Sequence, residues 1–187
     1  MTAFRAWPAG RMNEGAITLV PVRREDLISI MRWRNAQIDV LRQAAPLTEV
    51  DQHRYWDEVI APSFDHAQPR QILVSVLEGQ ACVAYGGLVH IDWPSQRAEV
   101  SFLSDTAISA DEARHGELFA AYLQALKRIA FDQLGFHRLF TETYDIRPHH
   151  VRVLESCGFQ PEGRMVDHVR IGDRFVDALL HGCIADA

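Results

Sequence analysis

Three β-rich runs joined only by short turns, followed by a long amphipathic stretch, constrain this chain more than any other feature of its sequence. Residues 71–77 (QILVSVL) and 81–91 flank Glu78-Gly79-Gln80, a short Gly-containing connection that predicts an antiparallel hairpin. Trp93-Pro94-Ser95-Gln96 then turns the chain into a further strand over 98–103, so the centre of the sequence is a meander. Residues 111–134 place Leu118, Tyr122, Leu126, Ile129 and Leu134 on one stripe, with Gly135 as the C-cap residue, and predict the longest helix.

The flanking segments read in the same way. Residues 16–22 (AITLVPV) alternate as a first strand, with Pro21 near a strand end or sheet edge. A helix over 24–35 carries Leu27, Ile30, Met31 and Arg34 at helical spacing, with Glu25 and Asp26 in its dipole-favoured first turn. A second helix starts after Thr48 and runs to Pro62. Residues 137–144 form a strand and 148–157 a short helix with Pro148 in its first turn. The end is a hairpin of 165–171 and 174–184 about Gly172-Asp173, whose leading Gly suits a type II′ turn. Residues 1–15 lack periodicity and read as a loosely attached arm before one domain, 16–187. No internal repeat is present, and the order is β-α-α-β-β-β-α-β-α-β-β.

Composition sets the class. With 187 residues, 48% hydrophobic and 24% charged, the chain has enough apolar material for a core without disulfides or a structural metal. A formal net charge of -6 argues against nucleic-acid binding. Three cysteines without C-x-x-C spacing suggest neither a disulfide framework nor a zinc site, and a reducing cytoplasm fits them best. Adjacent His149 and His150 make no metal pair, because neighbouring helix positions point about 100° apart. No apolar stretch is long enough to span a bilayer and no leader pattern opens the sequence, so neither membrane insertion nor export is expected.

Local motifs narrow the reading. The run Val151-Arg152-Val153-Leu154-Glu155-Ser156-Cys157-Gly158-Phe159, then Pro161-Glu162-Gly163 and later Val176-Asp177, resembles the ribosomal-protein branch of the GNAT superfamily of CoA-dependent N-acyltransferases. The segment Met31-Arg32-Trp33-Arg34-Asn35 is similar to the "WRN" segment of amino-sugar N-acetyltransferases that act on nucleotide-linked sugars, such as those of the pseudaminic acid pathway. The two resemblances cover roughly residues 16–184. They imply a GNAT-like α+β fold, with a mostly antiparallel mixed sheet of about seven strands and about four helices, and acetyl-CoA as acyl donor.

Site residues follow from the resemblance. It implies that the strand holding 98–103 and the strand over 137–144 splay apart, leaving main-chain N–H groups to hold the acyl carbonyl. Main-chain groups of Phe102, Leu103 and Ser104 are expected to bind the pantetheine arm as if it were another strand. Arg114, His115 and Gly116 stand where the family's Gly-rich diphosphate turn opens the long helix, although Glu117 and Phe119 replace its two later glycines. Arg147 just before the short helix and Arg152 on it are further phosphate-binding candidates. Leu154 takes the place of a tyrosine that ordinarily protonates the departing thiolate.

Glu99 matches a glutamate the family uses as base through bound water, and alternation makes it a surface carboxylate if it points the other way. Glu142 and His149, in a segment dense with titratable groups beyond a strand end, are the other candidates to accept the ammonium proton. For the acceptor, Trp33, Arg34 and Asn35 on the first helix and Tyr85, His90 and Trp93 on or after the second strand of the hairpin are the candidate contacts; ordinary packing is the competing reading of each aromatic. Asp167, His168 and His181 either reach the same cleft or pair across strands. The expected activity is direct acetyl transfer to a small amine, with an amino sugar, possibly nucleotide-linked, as acceptor; a protein N-terminus, an amino acid, or a non-catalytic binding module are the alternatives. The terminal hairpin leaves an edge through which related domains pair, which makes a homodimer the assembly to test.

Overall fold

A computed structural model describes residues 3–185 and shows an eight-stranded sheet in the order β1-β2-β3-β4-β5-β6-β8-β7. The strands are β1 (Met12–Glu14), β2 (Ile17–Pro21), β3 (Ile72–Glu78), β4 (Ala81–Asp92), β5 (Arg97–Ser104), β6 (Arg138–Tyr144), β7 (Gln160–Ile171) and β8 (Arg174–Ile184). Helices are α1 (Leu27–Ala36), α2 (Glu49–Tyr55, continued through a wide turn to Ser63), α3 (Thr106–Ala110), α4 (Glu112–Lys127, continued to Gln133) and α5 (Pro148–Ser156). The α+β class and the meander are as expected. The additions are the short strand β1 and the short helix α3, which give eight strands and five helices among the described residues.

Residues 3–15 are not the loose arm that their aperiodicity suggests. Phe4 stacks on Phe64 with ring centroids 4.2 Å apart, and the Trp7 indole donates to Gln133 Oε1 at 2.6 Å. Both aromatics are almost fully buried, each adding about 1.5–3 kcal/mol of burial. Periodicity fails to show this because the segment packs through turns rather than through one helix or strand face. Met1 and Thr2 lie outside the described residues.

Local chemistry sets the helix ends. Thr48 and Asp51 form a reciprocal capping box that starts α2. The Gly158-Phe159 pair ends α5: Gly158, with φ of 92°, donates to the Glu155 carbonyl and Phe159 to the Leu154 carbonyl, the Schellman arrangement. Leu154 and Phe159 are both fully buried beside this turn, so the motif fastens α5 to the core.

All strand pairs are antiparallel except β5 with β6, which are parallel and share only three positions, Arg97↔Arg138 to Glu99↔Phe140. Beyond them β5 stays on β4 as far as Ser104, while β6 stays on β8 as far as Tyr144. The two strands therefore part in the middle of the sheet, and the edge of β5 over 100–104 that faces β6 has no strand beside it.

The Tyr122 hydroxyl of α4 holds β5 in place. It donates to the Ser101 carbonyl and accepts from the Gly87 N–H, each at 2.6 Å, where Gly87 and Ser101 are register partners. A phenol thus stands inside the β4–β5 ladder. Room for it comes from Gly86, where an added Cβ would lie 2.6 Å from Tyr122 Oη and against the Ser101 carbonyl. Tyr122→Phe leaves two buried main-chain groups without partners and is expected to cost about 1–3 kcal/mol in urea unfolding. Gly86→Ala, which displaces backbone, is expected to cost more; wild-type stability in both variants would refute the role given to this hydroxyl.

Candidate active site

Where β5 and β6 part, a cleft of about 480 Å³ opens, lined by Glu99 to Phe102 on one strand and Thr141 to Tyr144 on the other. Alternation puts Val100 and Phe102 on the α4 side of β5, where Phe102 meets Phe119 and Tyr122 at 4.7 Å between ring centroids. Glu99 takes the opposite side, where the loop after α1 covers it.

That loop supplies the residue the sequence reading missed. Arg42 donates to both oxygens of Glu99, at 2.9 and 3.2 Å, and its Nη2 also lies 2.9 Å from Glu142 Oε2. His90 Nε2 is 3.9 Å from Glu99 Oε2, and His168 Nε2 is 3.6 Å from Glu142 Oε1. Two candidate bases from strands on either side of the gap are thereby joined through one guanidinium and flanked by two imidazoles. Burial works against the charge on Arg42, but its hydrogen bonds to Glu99 and the fields of Glu99 and Glu142 outweigh it, so its pKa is raised. No periodic pattern surrounds Arg42, since it sits on an irregular loop, and only the spatial pairing reveals it.

The acceptor candidates divide. Arg34 and His90 line the cleft. Trp33 is buried in the core, so the packing reading holds for it. Asn35 pins the loop instead, donating to the Leu47 carbonyl at 2.8 Å and accepting from the Leu47 N–H at 2.7 Å. Trp93 packs edge-on against Phe136 and donates to the Pro69 carbonyl at 2.8 Å, away from the cleft. Tyr85 lines a second, adjoining cleft of about 420 Å³ together with Tyr55, Asp51 and Glu58. Arg34 lines both clefts.

The donor end departs further from expectation. Arg114 pairs with Glu78 at the end of β3 and does not line the cleft. Asp111 caps α4 by accepting from the Arg114 N–H at 3.1 Å, so a carboxylate takes up one of the free donors an anion would need. His115 is buried between the Ser104 hydroxyl, 3.3 Å from its Nδ1, and His150 Nδ1, 3.2 Å from its Nε2. Gly116 packs under the His149 ring, where a Cβ would lie 3.0 Å from Nε2. Arg152 is exposed on α5. Leu103 is buried, and the Ser104 carbonyl accepts from Gln37 Nε2 at 2.9 Å. His149 sits on the α4 side with Nδ1 3.8 Å from Glu112 and is not beside the two glutamates, so it is no proton acceptor for an amine there. Of the paired histidines, it is His150 that lines the cleft, stacked on Phe119 at 4.0 Å.

One cation that does line the cleft stands just before α5. Arg147 lines the cleft at this end with no ion-pair partner among the described residues, and burial pulls its pKa down to about 10. His149 Nε2 is buried and lacks a hydrogen-bond partner. A half-buried guanidinium that lines the cleft without a counter-ion among the described residues fits a phosphate of CoA.

The same burial predicts acid sensitivity. His115 is held down to about 4, by burial first and then by the charges of Arg147 and His149, and His150 is lowered by the same causes, burial again leading. Between pH 6.5 and 4 the unfolded chain binds a proton at each that the native state refuses, so stability falls as pH falls, by roughly 3 kcal/mol for His115 alone. His115→Asn should flatten the fall in melting temperature between pH 7 and pH 4.5; an unchanged slope would rule out this source.

Comparisons with known proteins agree with the geometry. No curated protein sequence matches the chain. Among solved structures, spermidine N-acetyltransferase from Vibrio cholerae, in complex with CoA and spermine, superposes with a TM-score of 0.76 at 18% identity, over 90% of this chain and 95% of that one. Mutant forms of the spermidine/spermine N-acetyltransferase from the same organism give 0.74 at 20% identity, over 90% and 94%. These likenesses show the fold. The family model for the acetyltransferase (GNAT) domain matches residues 19–180. The chain thus belongs to the GNAT acetyltransferase domain family and is an N-acetyltransferase with acetyl-CoA as its acyl donor.

Proposed function

We propose that the cleft between β5 and β6 acetylates the primary amine of a small acceptor, and that Glu99 and Glu142 are the groups that receive it. The observation that carries this reading is the pair of carboxylates gripping one cationic group, Arg42, at the point where the strands part. An acceptor's ammonium has the same charge as the group held there and, like it, only donates hydrogen bonds.

The donor, when bound, supplies an activated thioester carbonyl. The open edge of β5 over 100–104 offers main-chain groups for the pantetheine arm and for the carbonyl oxygen. Arg147 holds the phosphates, in place of Arg114, His115 and Gly116. Glu99 takes the proton that the ammonium must lose before the amine can attack, with Glu142 orienting the same group. No side chain serves as a nucleophile in this scheme, since Cys157 is a buried core residue outside the cleft.

For the acceptor itself, an amino sugar is our first reading. The adjoining second cleft, with Tyr55, Tyr85 and polar side chains, suits a ring-bearing molecule that also hydrogen-bonds. A polyamine is the second reading, favoured by the grip of two carboxylates on a guanidinium and by the substrate named for the Vibrio cholerae enzymes. We place the protein in the cytoplasm on its unpatterned cysteines. A homodimer through β7 is also proposed, since β7 is the last strand of the sheet and Val166 on it is 73% exposed.

Thiol release from acetyl-CoA with amino sugars, spermidine and short peptides decides the acceptor, and turnover with none of them would overturn the reading. Glu99→Gln is expected to lower kcat by about 100-fold or more with little change in CoA affinity. Arg147→Ala should weaken CoA binding by roughly 10- to 100-fold in a thermal-shift titration, with a smaller salt dependence. Undiminished binding would return the phosphates to the start of α4.

A further inference from the structure

The charge of the cleft runs opposite to that of the chain. The protein carries a net charge of -6, yet the cleft is lined by Arg34, Arg42, Arg70 and Arg147 against Glu99 and Glu142. Arg42 is matched by the two glutamates, and Arg147 stands at the donor end. Arg34 and Arg70 remain, and neither has an ion-pair partner among the described residues.

Arg34 is the better built of the two. It lies in the last turn of α1, half-buried, and its Nε donates to Gln43 Oε1 at 3.0 Å. Gln43 Nε2 in turn donates to Asn35 Oδ1 and to the Ala45 carbonyl, both at 3.0 Å, and Asn35 is fixed on both sides by Leu47. Neutral amides therefore orient the guanidinium without cancelling its charge, and its two Nη groups have no hydrogen-bond partner among the described residues. A cationic fork withdrawn from water, aimed by amides and left without a carboxylate is poised for a ligand's oxyanion.

We infer that the acceptor carries an anionic group, a phosphate or a carboxylate, in addition to its amine, and that Arg34 binds it at the junction of the two clefts. The inference rests on the acyl-transfer reading for the position of the amine alone. Two acids of the second cleft bear on it. Asp51 is already engaged by Thr48 and Arg54, while Glu58 has no cationic partner and sets the side of the junction that the anion avoids. The same field disfavours a polyamine, whose second ammonium would meet Arg34 or Arg70.

The test compares acceptors that differ only in the anion: glucosamine with glucosamine 6-phosphate, and an amino acid with its amide. The anionic member of one pair is expected to show at least a tenfold higher kcat/KM through a lower KM, and which pair does so identifies phosphate or carboxylate. Arg34→Gln should abolish that preference and Arg34→Lys restore part of it. Equal or poorer use of both anionic members, or preferred use of spermidine, would overturn the inference while leaving amine acetylation standing. The same four compounds are titrated without donor, reading the melting temperature. A rise given by an anionic member in the wild type but not in Arg34→Gln supports the anion site even if no acetylation is seen, and no rise from any of them counts against it. Acetyl-CoA titrated alongside reports on the donor reading separately.

Discussion

The site depends on a hydroxyl placed inside a sheet. Tyr122 inserts its phenol between Gly87 and Ser101, and so couples α4 to β4 and β5 by hydrogen bonds rather than by apolar packing alone. Complete burial pushes its pKa well up, so at physiological pH it is always a donor as well as an acceptor. With β5 fastened to α4 and β4, and β6 fastened to β8, each of the parallel strands has its own anchor. Three shared positions are all that the two anchorages permit, and the unpaired stretch beyond them becomes the cleft. A regular parallel pairing would have zipped the same residues shut.

Opening a sheet exposes main-chain groups, and the charges around the opening show how that exposure is managed. The network His90–Glu99–Arg42–Glu142–His168 spans the gap from β4 to β7. It bridges the two strands electrostatically where main-chain hydrogen bonds are missing. Such a bridge differs from a ladder in running through side chains alone, so it leaves the main-chain pairing of both strands untouched. Acids and bases are therefore not distributed here as on an ordinary solvated surface. The carboxylates sit at the gap and the uncompensated arginines at its two ends.

How much of this could be read from the residues follows from which interactions are local. The meander, the long helix and the closing hairpin are periodic, and each formed within a few residues of its expected bounds. The Thr48 cap was likewise legible, because its partner is only three residues away. Glu99 was placed on the correct strand, but its face could be decided only by whether the loop after α1 came down on it. Arg42 and Arg70 had no signal, since irregular segments carry no period. The packed start of the chain was misread for the same reason: Phe4 and Trp7 find Phe64 and Gln133 across long stretches of sequence.

The start of α4 shows how a helix end without a glycine-rich turn shapes its surroundings. A glycine-rich turn binds phosphate through main-chain donors, which requires free N–H groups and no side chains in the way. Here Asp111 closes the helix end, Phe119 fills the space beneath it and stacks on His150, and Glu117 is exposed to solvent. Arg147 lines the cleft at the donor end with no ion-pair partner among the described residues, so a side chain supplies positive charge there. A side-chain cation open to solvent is more strongly screened by salt than a helix terminus packed around a ligand. The buried His115–His150 pair stays neutral, because burial first and then the charge of Arg147 hold both pKa values down.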